Sequence, residues 1–178
     1  KLAELVRASR SLAEVVRAYE MPLVSGKDSM KNDYYGKAQD GSPLKISVLP
    51  TLLVTALAHH PDVRSAIKPH AKPGDALYLL GMEVHSAYFG TTLPKYFNIE
   101  SARELKNWNP IQTREFYSRF YECSRQGLIR SAHDLSEGGL LFAMFESFLL
   151  NRVGVDLAVP SNQIPFLFNE TPGRILVS

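Results

Sequence analysis

The stretch SAHDLSEGGL, Ser131 to Leu140, constrains this chain more than any other. Leu128-Ile129 reads as the start of a strand that runs into it, and a strongly apolar helix from Leu140 to Leu150 follows. Between them stand an imidazole (His133), a carboxylate (Asp134), a hydroxyl (Ser136) and two adjacent glycines (Gly138, Gly139). Glycine costs a helix roughly 1 kcal/mol relative to alanine, so a pair in the first turn needs a reason. One reading has the helix open behind Ser136 and offer free N–H groups and partial positive charge to a phosphate. The glycines would then clear the way for close backbone approach, and Asp134 would hold a Mg²⁺ ion that offsets carboxylate–phosphate repulsion. The other reading is a capped helix beside a solvated His-Asp pair. On these residues alone the two stand level.

The rest of the chain alternates helical and extended patterns, which predicts an α/β or mixed α+β protein. Leu2, Leu5, Val6, Leu12, Val16 and Tyr19 recur at helical spacing, and that helix should stop before Pro22. Leu23-Val24 reads as a short extended lead into a polar run. Gln39 to Pro43 is a turn, Leu44 to Leu49 a strand, and Thr51 to Ala58 a buried strand rich in branched apolar residues. Lys72-Pro73-Gly74-Asp75 has proline and glycine where a type II turn demands them. Ala76 to Gly81 is a strand, and a domain boundary is expected near residue 70. Asn109 should cap a helix with Pro110 in its first turn and Gly127 closing it. Val153 to Val159 and Arg174 to Val177 read as further strands.

With 178 residues, 45% hydrophobic and 21% charged, the chain can bury a real core. A net charge of +2 and the absence of a basic stripe argue against a nucleic-acid partner. No stretch is long and apolar enough to span a bilayer, so no membrane partner is expected. Cys123, the single cysteine, cannot form an internal disulfide, which fits a reducing, cytoplasmic setting. At helical spacing with Phe116 and Phe120 it reads as a small buried apolar residue. His59, His60, His70 and His85 show no ligand spacing and read as surface residues. Both ends read as cut, so the chain is expected to be a fragment.

The second polar motif is SGKDSM, Ser25 to Met30. It is no P-loop, since Met21 stands where the first glycine would be and Asp28 follows the lysine. Gly26 could allow backbone approach, Lys27 supply charge and Ser29 donate to an oxyanion. A turn in which Asp28 or Ser29 bonds its own backbone is favoured on spacing alone.

SGKDSM, LPTLLVTALA (Leu49–Ala58), KPGDALYLLG (Lys72–Gly81), GLIRSAHDLSEGGL (Gly127–Leu140) and FNETPGRILVS (Phe168–Ser178) together resemble phosphoribosylformylglycinamidine synthases, the formylglycinamide ribonucleotide amidotransferases. The blocks cover nearly the whole chain and match the second of that family's two tandem halves, each built like aminoimidazole ribonucleotide synthetase. The resemblance implies residues 1–70 as the end of an N-terminal-type α/β domain and 71–178 as a truncated C-terminal-type domain. It implies an ATP-dependent ligase of purine biosynthesis that takes formylglycinamide ribonucleotide, ATP and ammonia from a glutaminase domain or subunit, with Mg²⁺ and ATP or ADP bound. A first synthetase-like half is the implied packing partner.

Residue by residue, the resemblance makes Asp134 a magnesium ligand and Ser136 and Gly26 nucleotide contacts. It makes Ser29 a substrate contact, with Lys27 on the substrate side. In the multi-subunit form an asparagine on magnesium stands at the position of Lys27. A protonated lysine cannot ligate the metal, so that role is not carried over and the single-chain form is the expected model. The chain departs from the family in the loop after Gly81, which lacks a glycine pair, and in Glu137, where an aspartate is usual. Asn169-Glu170-Thr171 stands for a serine–glutamate–serine pattern. Two other readings stand beside this one: a non-catalytic half that holds a structural ADP, and another ATP-dependent member of the same superfamily, such as a selenophosphate synthetase or a thiamine monophosphate kinase, against which the combined SGKDSM and HDLSEGGL blocks argue.

Overall fold

A computed structural model describes residues 2–29, 32–81, 91, 94, 96, 108–159 and 164–178. Its contacts divide the chain into two units, Lys1–His59 and His60–Ser178. The loop after Gly81, with His85, lies outside the described residues, as do Met30, the last residue of the polar motif, and Lys31 after it.

In the first unit, helix α1 (Leu2–Ala18) ends where expected, four residues short of Pro22. Glu20 turns left-handed at φ 54°, and the Met21 N–H reaches back to the Val16 carbonyl at 3.0 Å, closing the helix end. Strands β1 (Asp33–Lys37) and β2 (Pro43–Ser47) form an antiparallel hairpin. Its turn holds Gly41 at φ 82°, and Asp40 Oδ1 accepts from the Ser42 N–H at 2.9 Å. Leu23-Val24 and Thr51–Ala58 are irregular and exposed, contrary to the expected extended lead and buried strand. Leu53 and Leu57 are 86% and 88% exposed. Branched apolar residues make a strand only where a neighbour completes the ladder, and no described strand pairs with these.

The second unit is built on a three-stranded antiparallel sheet in the order β3-β5-β4: β3 is Tyr78–Leu80, β4 is Ala132–Asp134 and β5 is Ile175–Val177. All three residues of the central strand are buried. Helix α2 (Pro110–Arg125) starts on the expected cap, with Asn109 Oδ1 accepting from the Ile111 N–H at 2.9 Å and Pro110 opening the helix. Helix α3 (Gly139–Leu149) turns Leu140, Ala143, Met144, Ser147 and Phe148 inward at helical spacing. The apolar members of that face pack on Ala71, Leu135 and Leu176, with Leu77, Leu79, Phe166 and Leu167 at the margin. Each such large side chain stabilises the fold by about 1.5–3 kcal/mol. A short helix, α4 (Ile164–Leu167), leads into the final strand.

Four expectations need correction here. Val153–Val159 is irregular and mostly exposed, because no described strand pairs with it. The strand into the HDLSEGG motif begins at Ala132, not Leu128, since Gly127 at φ 71° has only just closed the preceding helix. Cys123 is half-buried, not buried. His70 is no surface residue: it is half-buried, and its Nδ1 is enclosed, with no hydrogen-bond partner among the described residues. Among the described residues no helix is long and apolar enough to cross a membrane.

The turn Lys72–Asp75 has the type II form, with Gly74 at φ 84° and the Asp75 N–H on the Lys72 carbonyl at 3.1 Å. Its aspartate is the hinge of a polar network. The Asp75 carboxyl, 4% exposed, accepts from the Lys72 N–H at 2.8 Å, Arg130 Nη1 at 2.7 Å and Ser178 Oγ at 3.2 Å. The Lys72 bond first, then the Arg130 charge and the Ser178 hydroxyl, hold this carboxyl below its ordinary 3.8 against the opposing effect of burial. A carboxyl depressed on folding contributes stability above its unfolded pKa and loses it as pH falls through the folded value. Asp75→Asn is therefore less stable than the parent at about pH 7, and the gap closes as pH falls below about 4. Urea unfolding across that range measures it, and a gap that does not change with pH removes the charge argument.

Candidate functional site

The chemistry-bearing residues of the second unit gather where β4 runs out. Asp134 is the last residue of that strand and pairs with Ile175 of β5, so its backbone is fixed by the sheet. The next N–H, of Leu135, donates to the Arg174 carbonyl at 3.1 Å, and the Leu135 side chain is buried. The chain must then turn outward, and the Asp134 carboxyl stands 74% exposed. One of its oxygens, Oδ2, accepts from the Ser136 hydroxyl. The two predicted site residues of this motif are thus held together, with Ser136 also exposed.

His133 lies beside that carboxylate, with its Nδ1 3.7 Å from Asp134 Oδ1. Its Nδ1 lies 2.8 Å from the Asp134 backbone carbonyl, an acceptor only, so this nitrogen donates. Its Nε2 lies 3.1 Å from Glu146 Oε2, which ties β4 to helix α3.

The helix start differs from its expected form. Ser136 does not cap it; Gly138 is the cap residue, at φ 80°, with no side-chain bond of its own. The Gly138 N–H donates instead to Glu170 Oε1 at 2.8 Å, a carboxylate brought from the other side of the site. Gly139, at φ 63°, is pressed against backbone: a Cβ there would stand 2.8 Å from Phe168 C and 2.9 Å from the Leu167 and Asn169 carbonyl oxygens. The glycine pair does permit a close approach, but the chain itself makes it.

The segment that supplies Glu170 is rigidly built. Asn169 and Thr171 are 0% and 1% exposed, and Asn169 Oδ1 accepts from the Thr171 N–H at 2.8 Å and its hydroxyl at 2.5 Å. Arg174, 3% exposed, lays its guanidinium 5.0 Å from the Phe166 ring centre. Gly173, at φ 85°, lets this segment press on helix α2, where a Cβ would meet Thr113 Cγ2 at 2.9 Å.

Two site residues escaped the sequence reading. Tyr117 of α2 lies close enough to Asp134 to feel its charge: burial first, then that carboxylate, push the phenol above its ordinary range. Its signal was a place one turn after Thr113 on the helix, which says nothing of what it faces. Glu170 stood out only as the middle of an Asn-Glu-Thr pattern.

The other predicted residues lie in the first unit. Gly26, Lys27 and Ser29 sit in an irregular, exposed segment. The Lys27 ammonium donates to the Asp28 carbonyl at 3.1 Å and reaches Ser29 Oγ at 3.4 Å, while Gly26 has open space where a Cβ would be. The structure therefore brings Lys27 and Ser29 together, and separately Asp134 and Ser136. Among the described residues no group of three or more His, Cys, Asp or Glu is placed to hold a metal ion.

The model of the AIR synthase related protein, C-terminal domain, matches residues 72–178, more than half of the chain. A phosphoribosylformylglycinamidine synthase subunit PurL of Limosilactobacillus reuteri is 28% identical over 98% of this chain and 22% of its own length. Proteins of the same name from Leuconostoc mesenteroides and Lactobacillus delbrueckii subsp. bulgaricus are 29% and 31% identical over the same shares. The chain thus spans about a fifth of the curated relatives it matches, at 22% of their length. Of solved structures, PurLQS from Thermotoga maritima aligns with a TM-score of 0.45 and 21% identity, covering 65% of this chain and 19% of that one.

The two glycine motifs predict opposite responses. Gly139→Ala forces a strained φ and a clash with backbone that cannot move aside, so it destabilises by about 1–3 kcal/mol or more. Gly26→Ala, with open space and no positive φ, changes stability by less than about 0.5 kcal/mol. Denaturant unfolding of the two variants checks this, and equal effects would remove the packing account of the HDLSEGG turn.

Proposed function

The chain belongs to the AIR synthase related family through its C-terminal domain, and from that premise we propose that it is part of a phosphoribosylformylglycinamidine synthase. Full-length relatives named for that activity carry the reading, being 28–31% identical along 98% of the chain. The relatives reported above are named as subunits, the multi-subunit arrangement, whereas Lys27 pointed to the single-chain form. The proposed boundary between N-terminal-type and C-terminal-type domains is near residue 70; the family match begins at 72, whereas the two compact units divide between His59 and His60.

The proposed reaction is ligation on formylglycinamide ribonucleotide. Its amide oxygen takes the terminal phosphoryl group of ATP, releasing ADP. Ammonia released from glutamine then attacks the activated carbon, phosphate leaves, and the amidine forms with loss of a proton. Charge neutralisation and positioning dominate phosphoryl transfer, and the chain's own residues are suited to both tasks. Asp134, exposed and oriented by Ser136, would hold Mg²⁺; magnesium takes one or two carboxylates and completes its shell with phosphate oxygens and water. When bound, the ion would supply positive charge that offsets carboxylate–phosphate repulsion. Ser136 and Gly26 are proposed nucleotide contacts, and Ser29 and Lys27 substrate contacts. A cytoplasmic setting, a glutaminase partner and a first synthetase-like half complete the reading.

The observation that carries the site assignment is the Asp134–Ser136 pair, fixed by the sheet yet turned to solvent. Asp134→Asn in the full-length protein weakens MgADP binding by about ten-fold or more, the worth of a charged partner, with unfolding unchanged. Calorimetric titration measures it, and parent-like affinity leaves Asp134 with no metal role. Ser29→Ala raises the KM for the ribonucleotide by about ten- to a hundred-fold, for one lost hydrogen bond to a charged group. The KM for glutamine stays near the parent value; parent kinetics for every substrate reduce the loop to a turn.

A further inference from the structure

We propose that Glu170 is a positioning residue: its carboxylate caps helix α3 from a distant loop and so sets the turn that presents Asp134 and Ser136. This rests on the nucleotide reading above. The cap residue of α3 is glycine and makes no side-chain bond, and the local acceptor at the helix start is the Ser136 carbonyl, which takes the Gly139 N–H at 3.1 Å. Helix N-termini carry free N–H groups and partial positive charge, and an anion there is stabilising. Here the anion is Glu170 Oε1, 2.8 Å from the Gly138 nitrogen.

Three further contacts make the cap a fixed strut. Gly139 lies directly against the backbone of Leu167, Phe168 and Asn169, with no room between the turn and the Glu170 segment even for a Cβ. The Leu135 N–H is held by the Arg174 carbonyl at 3.1 Å. Asn169 and Thr171, fully buried on either side of Glu170, lock its backbone through the Asn169 side chain. Residues 135 to 139 are therefore pinned at both ends to residues 167 to 174, and Ser136 lies between the pins. The seat that a phosphate would otherwise take at the Gly138 N–H is filled by the chain. Asp134 and Ser136 then form the ligand-facing edge, and Glu170 acts through them.

The test uses the full-length protein with MgADP as probe and two variants. Glu170→Gln keeps an oxygen acceptor of the same reach, whereas Glu170→Ala removes it. Hydrogen exchange reads the cap without ligand: the Gly138 amide exchanges about ten-fold or more faster in Glu170→Ala than in the parent, as expected for a lost hydrogen bond. In Glu170→Gln it stays protected. Calorimetry then reads positioning: Glu170→Ala binds MgADP about ten-fold more weakly, and Glu170→Gln restores affinity to within about three-fold of the parent. Unchanged affinity in Glu170→Ala overturns the inference and leaves the nucleotide reading standing. Tighter binding in either variant also overturns it, because the carboxylate would then be a competitor for the phosphate seat. If the parent itself binds no MgADP, the nucleotide reading fails and the positioning role with it.

Discussion

The second unit depends on the pairing of its last strand, Ile175–Val177, which lies in the middle of the sheet and satisfies neighbours on both sides. Leu80 and Asp134 are both aligned with Ile175, so one residue couples the end of the first strand to the end of the motif strand. A central strand has no spare hydrogen-bonding edge, which fixes its register and that of the segment entering it. That segment is the one carrying Asn169, Glu170 and Thr171. Gly173 makes the entry possible, since its carbonyl lies 2.2 Å from where a Cβ of Gly81 would be and its own Cβ would meet Thr113. Both positions hold positive φ, and both are glycine for want of room.

Features set by local chemistry were legible in the sequence. Asn109 with Pro110, Lys72 to Asp75, and Asp40 with Gly41 each bring donor, acceptor and permitted φ within a few residues of one another. Features that need a distant partner were not. Thr51–Ala58 and Val153–Val159 have the composition of strands, yet a strand is a statement about its neighbour, and composition does not name one. His70 failed for the same reason, because nothing beside it in the chain tells that its Nδ1 is enclosed.

The candidate site divides along the same line. That Asp134 and Ser136 stand side by side was readable from their spacing, two residues apart at a strand end. The glycine pair announced a close backbone approach but not the identity of what approaches. The answer lies some thirty residues onward, in the backbone of Leu167 to Asn169, at roughly the range where sequence pattern loses its reach. The same distance hid Glu170, whose bond to Gly138 crosses 32 residues.

One consequence concerns charge. With Glu170 on the helix start, the partial positive charge that made the motif look like a phosphate seat is already compensated inside the protein. What remains at the surface is the Asp134 carboxylate and, two residues past Ser136's neighbour Leu135, the exposed Glu137. Two unit charges a few ångströms apart interact by about 1–4 kcal/mol between bulk water and a protein surface. A bare polyphosphate would therefore meet repulsion from the residues proposed to hold it. Apart from His133, whose Nδ1 lies 3.7 Å from Asp134 Oδ1, the motif has no basic side chain, so the attraction has to come from a cation carried in with the ligand or from basic side chains elsewhere. Under the proposed nucleotide reading, the motif's carboxylate serves a phosphate ligand only if that ligand brings its own counter-charge.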